Sequence, residues 1–230
     1  MGSPNKSDLR NQPAYTLADG ARYLKVASAT LRSWVIGRHY PKGKGVAHFQ
    51  PLIHPTLDQP PTLSFWNLIE AHVLRSLRTE HGVSIRDLRQ ALSYAEKALK
   101  IDRLLLSKEL RTEAGHLLLD RYGQLIELSA SGQMAMRKVF EEHLKRVEWD
   151  EWTYPVRLYP FTSSSAPTSD RRIAIDPNIA FGRPIMLHAG ISTRAIAERI
   201  DAGETITDLV ADYDLTPLDI EEAVLYERAA

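Results

Sequence analysis

The 230-residue sequence contains no cysteine. Disulfide bonds and thiolate metal sites are therefore excluded, and the composition fits a reducing compartment. The sequence also lacks any apolar run close to the roughly 18 residues that a membrane-spanning helix needs. Its first ten residues, MGSPNKSDLR, contain no apolar core of a secretory signal. These absences predict a cytoplasmic protein with no membrane partner.

Net charge is absent too, because 29 Lys and Arg balance 29 Asp and Glu. The balance is uneven along the chain. Residues 1–50 hold eight Lys and Arg against two Asp, a net charge of +6, whereas residues 171–230 hold six Arg against eleven acids, a net charge of −5. Opposite signs at the two ends indicate an anionic partner at the front and a basic partner at the back. Acidic residues scattered over solvated faces explain the C-terminal excess equally well.

The stretch YTLADGARYLKVASATLRSW, residues 15–34, predicts two short helices joined by a three-residue turn. Thr16 and Asp19 have the spacing of a capping box, and apolar residues then recur at helical spacing. The second helix is expected over 28–36, with Gly37 ending it. This arrangement is typical of a helix-turn-helix, whose second helix enters the major groove of DNA.

The core residues of this hairpin leave one of its faces open to solvent, and we expect DNA to contact that face. Arg22 and Arg32 should line it. Short side chains at the start of the second helix allow close approach to base edges, and cations further on suit the phosphates. Segment 38–55 should form a loop with one or two strands, as in a wing. A helical hairpin with solvated cations is the alternative. The expected DNA-binding residues are Ser28, Ala29, Thr30, Arg32, Ser33, Arg38, Lys42 and Lys44.

The middle of the chain alternates between helical and extended patterns. Apolar residues recur at helical spacing in the first half, and the period changes near residue 104. The aromatic residues Trp149, Trp152 and Tyr154 are interpreted as core or as a seam between domains, with a platform for a partner as the alternative. In chain order we expect helices over 62–82 and 83–99, a β-hairpin over 116–129 that turns near Tyr122-Gly123, a helix over 133–147 and an extended stretch over 149–160.

Ser, Thr and Pro concentrate in residues 161–171, which we interpret as a linker. Beyond it we expect a short strand, a turn and three helices over 192–202, 206–212 and 217–228, the last capped by Thr216 and Asp219. The predicted fold is mainly α with small β elements. Its expected divisions are a winged helix-turn-helix region over 1–92, a helical and β-hairpin segment over 93–160 that is a candidate for dimerisation, the linker 161–171, and a helical module over 172–230.

No set of residues with convergent catalytic chemistry stands out. His39, His48 and His54 lie in one segment at spacings of nine and six, without the additional ligand that a metal-binding pattern needs. The carboxylates fall at helix caps and on solvated helix faces. We therefore expect a protein that is not an enzyme and that holds no metal and no cofactor.

The helical hairpin resembles the start of MerR-type regulators. A Tyr-Thr pair, an Ala, a Leu-x-Val and a Thr-Leu-Arg-x-Trp motif match that family in Tyr15, Thr16, Ala21, Leu24, Val26, Thr30, Leu31, Arg32 and Trp34. Residues 62–92 continue the likeness with the second helix pair of that superfamily. Ala27 is a departure, since the family often has a capping Ser there, and its loss costs about 1 kcal/mol unless Ser28 caps instead. The resemblance implies a winged helix-turn-helix that binds DNA.

Residues 172–229 resemble the small helical family known as domain of unknown function 433. The family's Gly-Thr-Arg falls here on His188, Ala189 and Gly190, which is a departure, while Arg194 matches a commoner basic position. The matching residues are Asp176, Pro177, Gly182, Pro184, Ile191, Gly203, Tyr213, Leu215, Thr216, Ala223, Leu225 and Tyr226.

The two resemblances together imply a VapB-type antitoxin of a type II toxin–antitoxin system. Such a protein binds its own operator in double-stranded DNA as an autorepressor and neutralises a PIN-fold ribonuclease toxin. A homodimer is expected, because helix-turn-helix proteins bind paired half-sites. A ligand-responsive MerR-like transcription factor without a toxin is the alternative, and an interaction protein that binds no DNA is a third.

The C-terminal module is the expected site of toxin binding. A ribonuclease needs a basic groove for RNA, and a module with a net charge of −5 can cover such a groove. The residues that we expect to contact the partner are Arg194, Asp212, Tyr213, Asp219 and Glu222.

Overall fold

A computed structural model describes residues 8–42, 45–78, 85–127, 129–151, 154–162 and 171–229. Within these ranges the chain is mainly α with small β elements, as predicted. None of its helices there has the length and apolar character needed to cross a bilayer. The helices are α1 (Leu17–Leu24), α2 (Ser28–Val35), α3 (Phe65–Arg78), α4 (Ile85–Leu99), α5 (Glu113–Leu125), α6 (Ala130–Lys145), α7 (Thr193–Asp201), α8 (Ile206–Tyr213) and α9 (Pro217–Arg228).

Short antiparallel strands accompany these helices. The strands are β1 (Tyr15–Thr16), β2 (Arg38–Lys42), β3 (Gly45–Phe49), β4 (Leu57–Asp58), β5 (Pro61–Leu63), β6 (Val147–Trp149), β7 (Pro155–Leu158), β8 (Ile173–Ala174), β9 (Ile185–Met186) and β10 (Ile191–Ser192). They form the sheets β1–β5–β4, β2–β3, β6–β7 and β10–β9–β8. The β2–β3 hairpin follows α2 directly, which confirms the expected strands of the wing.

Local capping signals set the bounds of the N-terminal hairpin. The Thr16 hydroxyl accepts the backbone N–H of Asp19 at 3.1 Å, and the Asp19 carboxylate accepts the N–H of Thr16 at 3.3 Å, which completes the predicted capping box. Lys25 takes a left-handed conformation with φ 52° and ends α1. Ala27 stands at the N-cap of α2 without a side-chain cap, so Ser28 does not replace the missing capping residue.

The β-hairpin predicted over 116–129 is wrong, because residues 116–125 belong to α5. Two 3₁₀ turns, Leu104–Leu106 and Lys108–Arg111, lead into α5. Within α5, Ala114, Leu118 and Tyr122 recur every four residues and are buried. Glycine marks close packing here instead of a turn, since a Cβ added to Gly115 would lie 1.9 Å from the carbonyl oxygen of Leu110.

The other predicted helices are present with shifted ends. The helix expected over 133–147 begins earlier, at Ala130, because the Ser129 hydroxyl accepts the N–H of Gly132 at 3.2 Å. It ends before Val147, which belongs to β6. The three C-terminal helices lie within one residue of their expected bounds. Most of the expected linker, residues 163–170, lies outside the described residues.

One core extends from the N-terminal hairpin through the middle helices to Ile175 of the C-terminal region. Trp66 of α3 stacks on Tyr154 with ring centroids 5.3 Å apart, and Trp149 packs against the same core. Trp149 and Tyr154 are half-buried and pack against this core, in keeping with their interpretation as core or seam residues. Trp152 lies outside the described residues.

Two buried histidines lie between α3 and α6. The His72 ring donates through Nε2 to the backbone oxygen of His143 at 3.0 Å, and His143 donates through Nδ1 to the oxygen of Val139 at 2.9 Å. Burial lowers the pKa of both rings, that of His143 to about 4. The nearby cations Arg75 and Arg146 lower both pKa values further. Both imidazoles are therefore neutral in the folded chain near pH 7.

We expect the free energy of unfolding to fall as the pH drops from 6.5 towards 4. The unfolded chain takes up protons at a histidine pKa near 6.5, whereas folded His143 resists protonation down to about 4. Above pH 6.5 the two rings do not lower the free energy of unfolding. Below pH 6.5, each ring that stays neutral in the folded chain lowers the free energy of unfolding by up to about 1.4 kcal/mol per pH unit. Urea denaturation at a series of pH values measures this slope.

The His143→Gln variant should show a shallower fall between pH 6.5 and about 5, because one of the two titrating rings is gone. His116 is exposed on α5, so His116→Gln is a matched control that should keep the slope of the wild type. Equal slopes for His143→Gln and the wild type would contradict this assignment.

Candidate nucleic-acid interface and C-terminal module

Helix α2 buries one side and leaves the other open. Leu31 and Trp34 are at most 1% exposed and pack in the core. On the outer side Ser28, Ala29 and Arg32 are exposed, and Thr30 and Ser33 are half-buried. Arg32 makes no hydrogen bond or ion pair with any described residue. The structure therefore brings five of the expected DNA-binding residues together on the open side of α2.

The wing is held to the end of this helix by backbone hydrogen bonds. The N–H groups of Leu52 and Ile53 both donate to the carbonyl oxygen of Trp34, at 2.7 and 3.0 Å. On the hairpin itself His39 lies opposite His48, and their ring centroids are 4.6 Å apart. The position of the wing relative to α2 is thus fixed at the base of the hairpin.

The expected cations of the wing are only partly described. Arg38 begins β2 and its side chain is exposed. The backbone of Lys42 ends β2, and Lys44 lies outside the described residues. Arg38 and Lys42 therefore occupy the two ends of one wing strand.

Arg22 does not lie on the open face, which corrects the sequence-based expectation. Its guanidinium Nη1 pairs with the Glu227 carboxylate at 2.5 Å. Lys25 also faces the C-terminal module, since its ammonium donates to the backbone oxygen of Tyr226 and lies 4.0 Å from the centroid of that ring. Burial lowers the pKa of Lys25 to about 8. Both cations bind α9, so Arg32 is the hairpin arginine that remains open on the outer face.

The C-terminal module packs closely against the rest of the chain. The buried Tyr226 hydroxyl of α9 donates to the backbone oxygen of Tyr23 at 2.9 Å. Leu158 and Ile175 exchange two backbone hydrogen bonds of 3.0 and 2.8 Å. The module therefore packs against α1, the first helix of the hairpin.

The Tyr226→Phe variant is expected to unfold about 1–2 kcal/mol more easily than the wild type. Removal of the hydroxyl leaves the carbonyl of Tyr23 buried without this donor, and such groups carry a desolvation cost. Urea denaturation measures the change. Tyr94→Phe is the control, because the Tyr94 ring is 47% exposed, and it should change stability by only a few tenths of a kcal/mol. Similar values for the two variants would refute this role of the Tyr226 hydroxyl.

The residues expected to contact a protein partner occupy different environments. Arg194 is exposed and pairs with Glu198 at 2.7 Å. Asp212 pairs with Arg199 at 2.5 Å, and the Tyr213 ring lies 4.9 Å from the same guanidinium, so Arg199 joins these two residues. Glu222 is half-buried on α9.

Asp219 has a structural role in the fold. The residue is 1% exposed, and its carboxylate caps α9 by accepting the N–H of Thr216 at 2.9 Å. The same carboxylate pairs with Arg172 at 2.7 Å and with His188 at 3.4 Å. Burial alone would raise its pKa, but the hydrogen bonds from Thr216 and Arg172 outweigh burial and hold the pKa below the usual range. A side chain so enclosed is not accessible to a partner protein.

Sequence reasoning did not single out Leu218 and Leu225 as a pair. Both are exposed on α9, at 48% and 60%, and they are seven residues apart, which places them on one face of the helix. The seven-residue spacing of the two leucines is visible in the sequence. It does not distinguish them there, because three other apolar residues of α9 also have helical spacing and form its buried side.

Comparison with known proteins assigns both ends of the chain. Residues 13–92 match the family described as "Putative DNA-binding HTH domain", and residues 173–226 match "Protein of unknown function (DUF433)". The N-terminal part of the chain is thus similar to a helix-turn-helix family and its C-terminal part to the DUF433 family.

A curated relative from Mycobacterium tuberculosis, named "Putative antitoxin VapB45", is 27% identical to this chain. The match covers 97% of the chain and 98% of that relative. The predicted resemblance to VapB-type antitoxins is therefore confirmed. The crystal structure of Rv2018 from Mycobacterium tuberculosis has the same fold, with a TM-score of 0.67 and 23% sequence identity over 93% of this chain and 97% of that one.

Proposed function

We propose that this chain is a cytoplasmic antitoxin, without catalytic activity, that represses its own promoter and neutralises a PIN-fold ribonuclease. The observation that carries the proposal is the open face of α2, with Arg32 unpaired among the described residues, in a chain that is similar over 97% of its length to a protein named as an antitoxin. The chain acts as a homodimer, because a two-fold operator presents two half-sites.

The DNA-binding half of the proposal follows from the shape and charge of the hairpin. Helix α2 enters the major groove, where Ser28, Ala29, Thr30 and Ser33 approach the base edges and Arg32 reaches a guanine or a phosphate. Arg38, Lys42 and Lys44 of the wing contact the phosphate backbone. The net charge of +6 over residues 1–50 supplies the long-range attraction.

The toxin-binding half of the proposal assigns the C-terminal module to the ribonuclease. Arg194, Asp212, Tyr213 and Glu222 are at least partly accessible, and the module carries a net charge of −5. An acidic surface attracts the basic groove in which a ribonuclease binds RNA, and it thereby speeds association. Asp219 is left out of this surface because it is buried.

Fluorescence anisotropy with two duplexes tests the DNA-binding half. The first duplex carries the promoter of the gene itself, and the second carries the same bases in shuffled order. At about 150 mM salt we expect the promoter to bind about 1,000-fold more tightly or better, since specific sites exceed non-specific DNA by such factors. Equal affinity for both duplexes would overturn the proposal of autorepression.

A ligand-responsive transcription factor is the second candidate function, and one cavity favours it. The cavity has a volume of about 840 Å³ and lies between the base of the wing and α4. Its lining includes Glu70, which pairs with Arg103 at 2.9 Å, and Arg89, which donates to the backbone oxygen of Gln50 next to the wing. A small molecule bound there would alter the contact between α4 and the wing.

The neighbouring gene separates the two candidates. An adjacent reading frame for a PIN-fold ribonuclease supports the antitoxin, whereas an adjacent efflux pump or enzyme supports the ligand-responsive regulator. Binding of the purified neighbouring protein to this chain then decides between them.

A further inference from the structure

Helix α9 is apolar on two opposite faces. Its inner face consists of Ile220, Ala223 and Tyr226, which are fully buried in the module. Its outer face carries Leu218 and Leu225, which are 48% and 60% exposed. A helix at the surface of a protein ordinarily has one apolar face and one polar face. The second apolar face of α9 is therefore exposed, although a face of this composition ordinarily packs against another surface.

The charge around the two leucines is negative. Glu221 lies between them in sequence, is exposed and makes no ion pair with a described residue. Asp214, which ends α8 just before α9, is exposed and likewise has no such partner. The outer face of α9 thus carries two leucines and the Glu221 carboxylate, and Asp214 precedes the helix; neither acid has an ion-pair partner among the described residues.

Four of the six arginines of residues 171–230 form ion pairs with other acids and not with Glu221 or Asp214. The ion pairs are Arg172–Asp219, Arg194–Glu198, Arg199–Glu204, Arg199–Asp212 and Arg228–Asp201. The negative potential over Leu218 and Leu225 is therefore available to a basic partner.

The helix is also held rigidly in place. Thr216 and Asp219 form a capping box at its start, and Pro217 occupies the first turn. Near its end, Tyr226 binds the backbone of α1 and Glu227 pairs with Arg22. Because α9 is ordered before a partner arrives, binding to it loses little conformational entropy.

We propose that the outer face of α9, formed by Leu218, Glu221 and Leu225, is the docking surface for the basic ribonuclease partner. This proposal rests on the function proposed above and adds the surface to it. The two leucines enter an apolar groove of the partner, and Lys or Arg side chains at the edges of that groove pair with Glu221 and Asp214. Buried apolar anchors supply the affinity, and the carboxylates at the rim speed the encounter.

A second copy of this chain fits the surface less well. In a two-fold pair centred on this face, the residues midway between the leucines lie near the axis and meet their own copies. Glu221 and Glu222 are the two residues nearest this midpoint, so carboxylates of the two copies would be brought together between apolar side chains. Like charges at the centre of an interface oppose such a pair.

The test uses the full chain and the ribonuclease encoded beside its gene, immobilised as a catalytically inactive variant for biolayer interferometry. The variant Leu218→Glu/Leu225→Glu should bind about 100-fold more weakly than the wild type, mainly through faster dissociation. The matched control is Leu57→Glu/Met134→Glu, which makes the same change at two exposed apolar residues elsewhere, 43% and 68% exposed. The control should stay within about threefold of the wild type. Glu221→Arg should slow association.

Thermal denaturation establishes that the variants are folded, and if the Glu pair unfolds the chain, Leu218→Ser/Leu225→Ser takes its place. Tight binding by the wild type together with unchanged binding by the α9 variant would overturn the docking surface and leave the proposed function intact. Failure of the wild type to bind would overturn the proposed function and the surface with it. A wild-type dimer that becomes monomeric in the α9 variant, by analytical ultracentrifugation, would assign this face to a second copy and would also overturn the proposal.

Discussion

Alanine at both Arg32 and Arg38 is expected to weaken binding of this chain to its own promoter by about tenfold or more at roughly 150 mM salt. Arg32 is exposed on the open face of α2, and Arg38 is exposed at the start of the wing. The other two cations of the hairpin, Arg22 and Lys25, bind α9 and cannot replace them. The loss of DNA affinity should therefore not be compensated by another cation of the hairpin.

The affinity of each variant is measured by anisotropy over a range of salt concentrations. Every phosphate contact that is lost should reduce the salt slope by about one, whereas a lost base contact reduces the discrimination between promoter and shuffled DNA. Arg137→Ala/Lys145→Ala is the matched control, because it removes two cations from the exposed side of α6. An equal loss of affinity in the two double variants would mean that only overall charge matters, which would contradict the assigned face.

The Gly182→Ala variant should be destabilised by about 3 kcal/mol, which is a large share of the stability of an ordinary domain. Gly182 has φ +72°, where a side chain is strained, and an added Cβ would lie 2.1 Å from the hydroxyl oxygen of Tyr15. Tyr15 is buried beside α1, so it cannot move away freely. The clash would therefore separate the C-terminal module from the helical hairpin.

Two further variants isolate the clash from the backbone strain. Gly190 has a similar φ of +68° with nothing within 4 Å of an added Cβ, so Gly190→Ala should cost only the strain, about 1 kcal/mol. The Tyr15 hydroxyl makes no hydrogen bond with a described residue, and its removal in Tyr15→Phe should recover part of the stability of Gly182→Ala. Equal urea midpoints for the two glycine variants would show that Tyr15 does not limit the contact.

Local signals were enough to predict where the helices with a capping box at a recognised spacing begin, but not where α5 and α6 begin. Thr16 with Asp19, and Thr216 with Asp219, were recognised by spacing alone, because a capping box involves residues only three apart. The helix-turn-helix and the three C-terminal helices followed from such signals and from apolar periodicity. The division of the chain at residues 92, 160 and 171 stays a prediction.

Contacts between distant parts of the chain could not be predicted from these signals. Gly123 was expected at a turn, but it lies within α5, where an added Cβ would be 3.1 Å from the Gln133 side chain. Arg22 resembled a solvated cation, yet its partner Glu227 lies 205 residues further along the chain. Such partners are set by the packing of the C-terminal module, which no local pattern encodes.

The inhibition of a ribonuclease tests the central claim most directly. The protein encoded beside this gene is assayed for RNA cleavage while the full chain is added in increasing amounts. We predict that cleavage falls in proportion to the chain added and stops at a fixed stoichiometric ratio, as expected when a tight complex covers the catalytic groove. Cleavage that continues undiminished in a large molar excess of folded, promoter-binding chain would contradict the account.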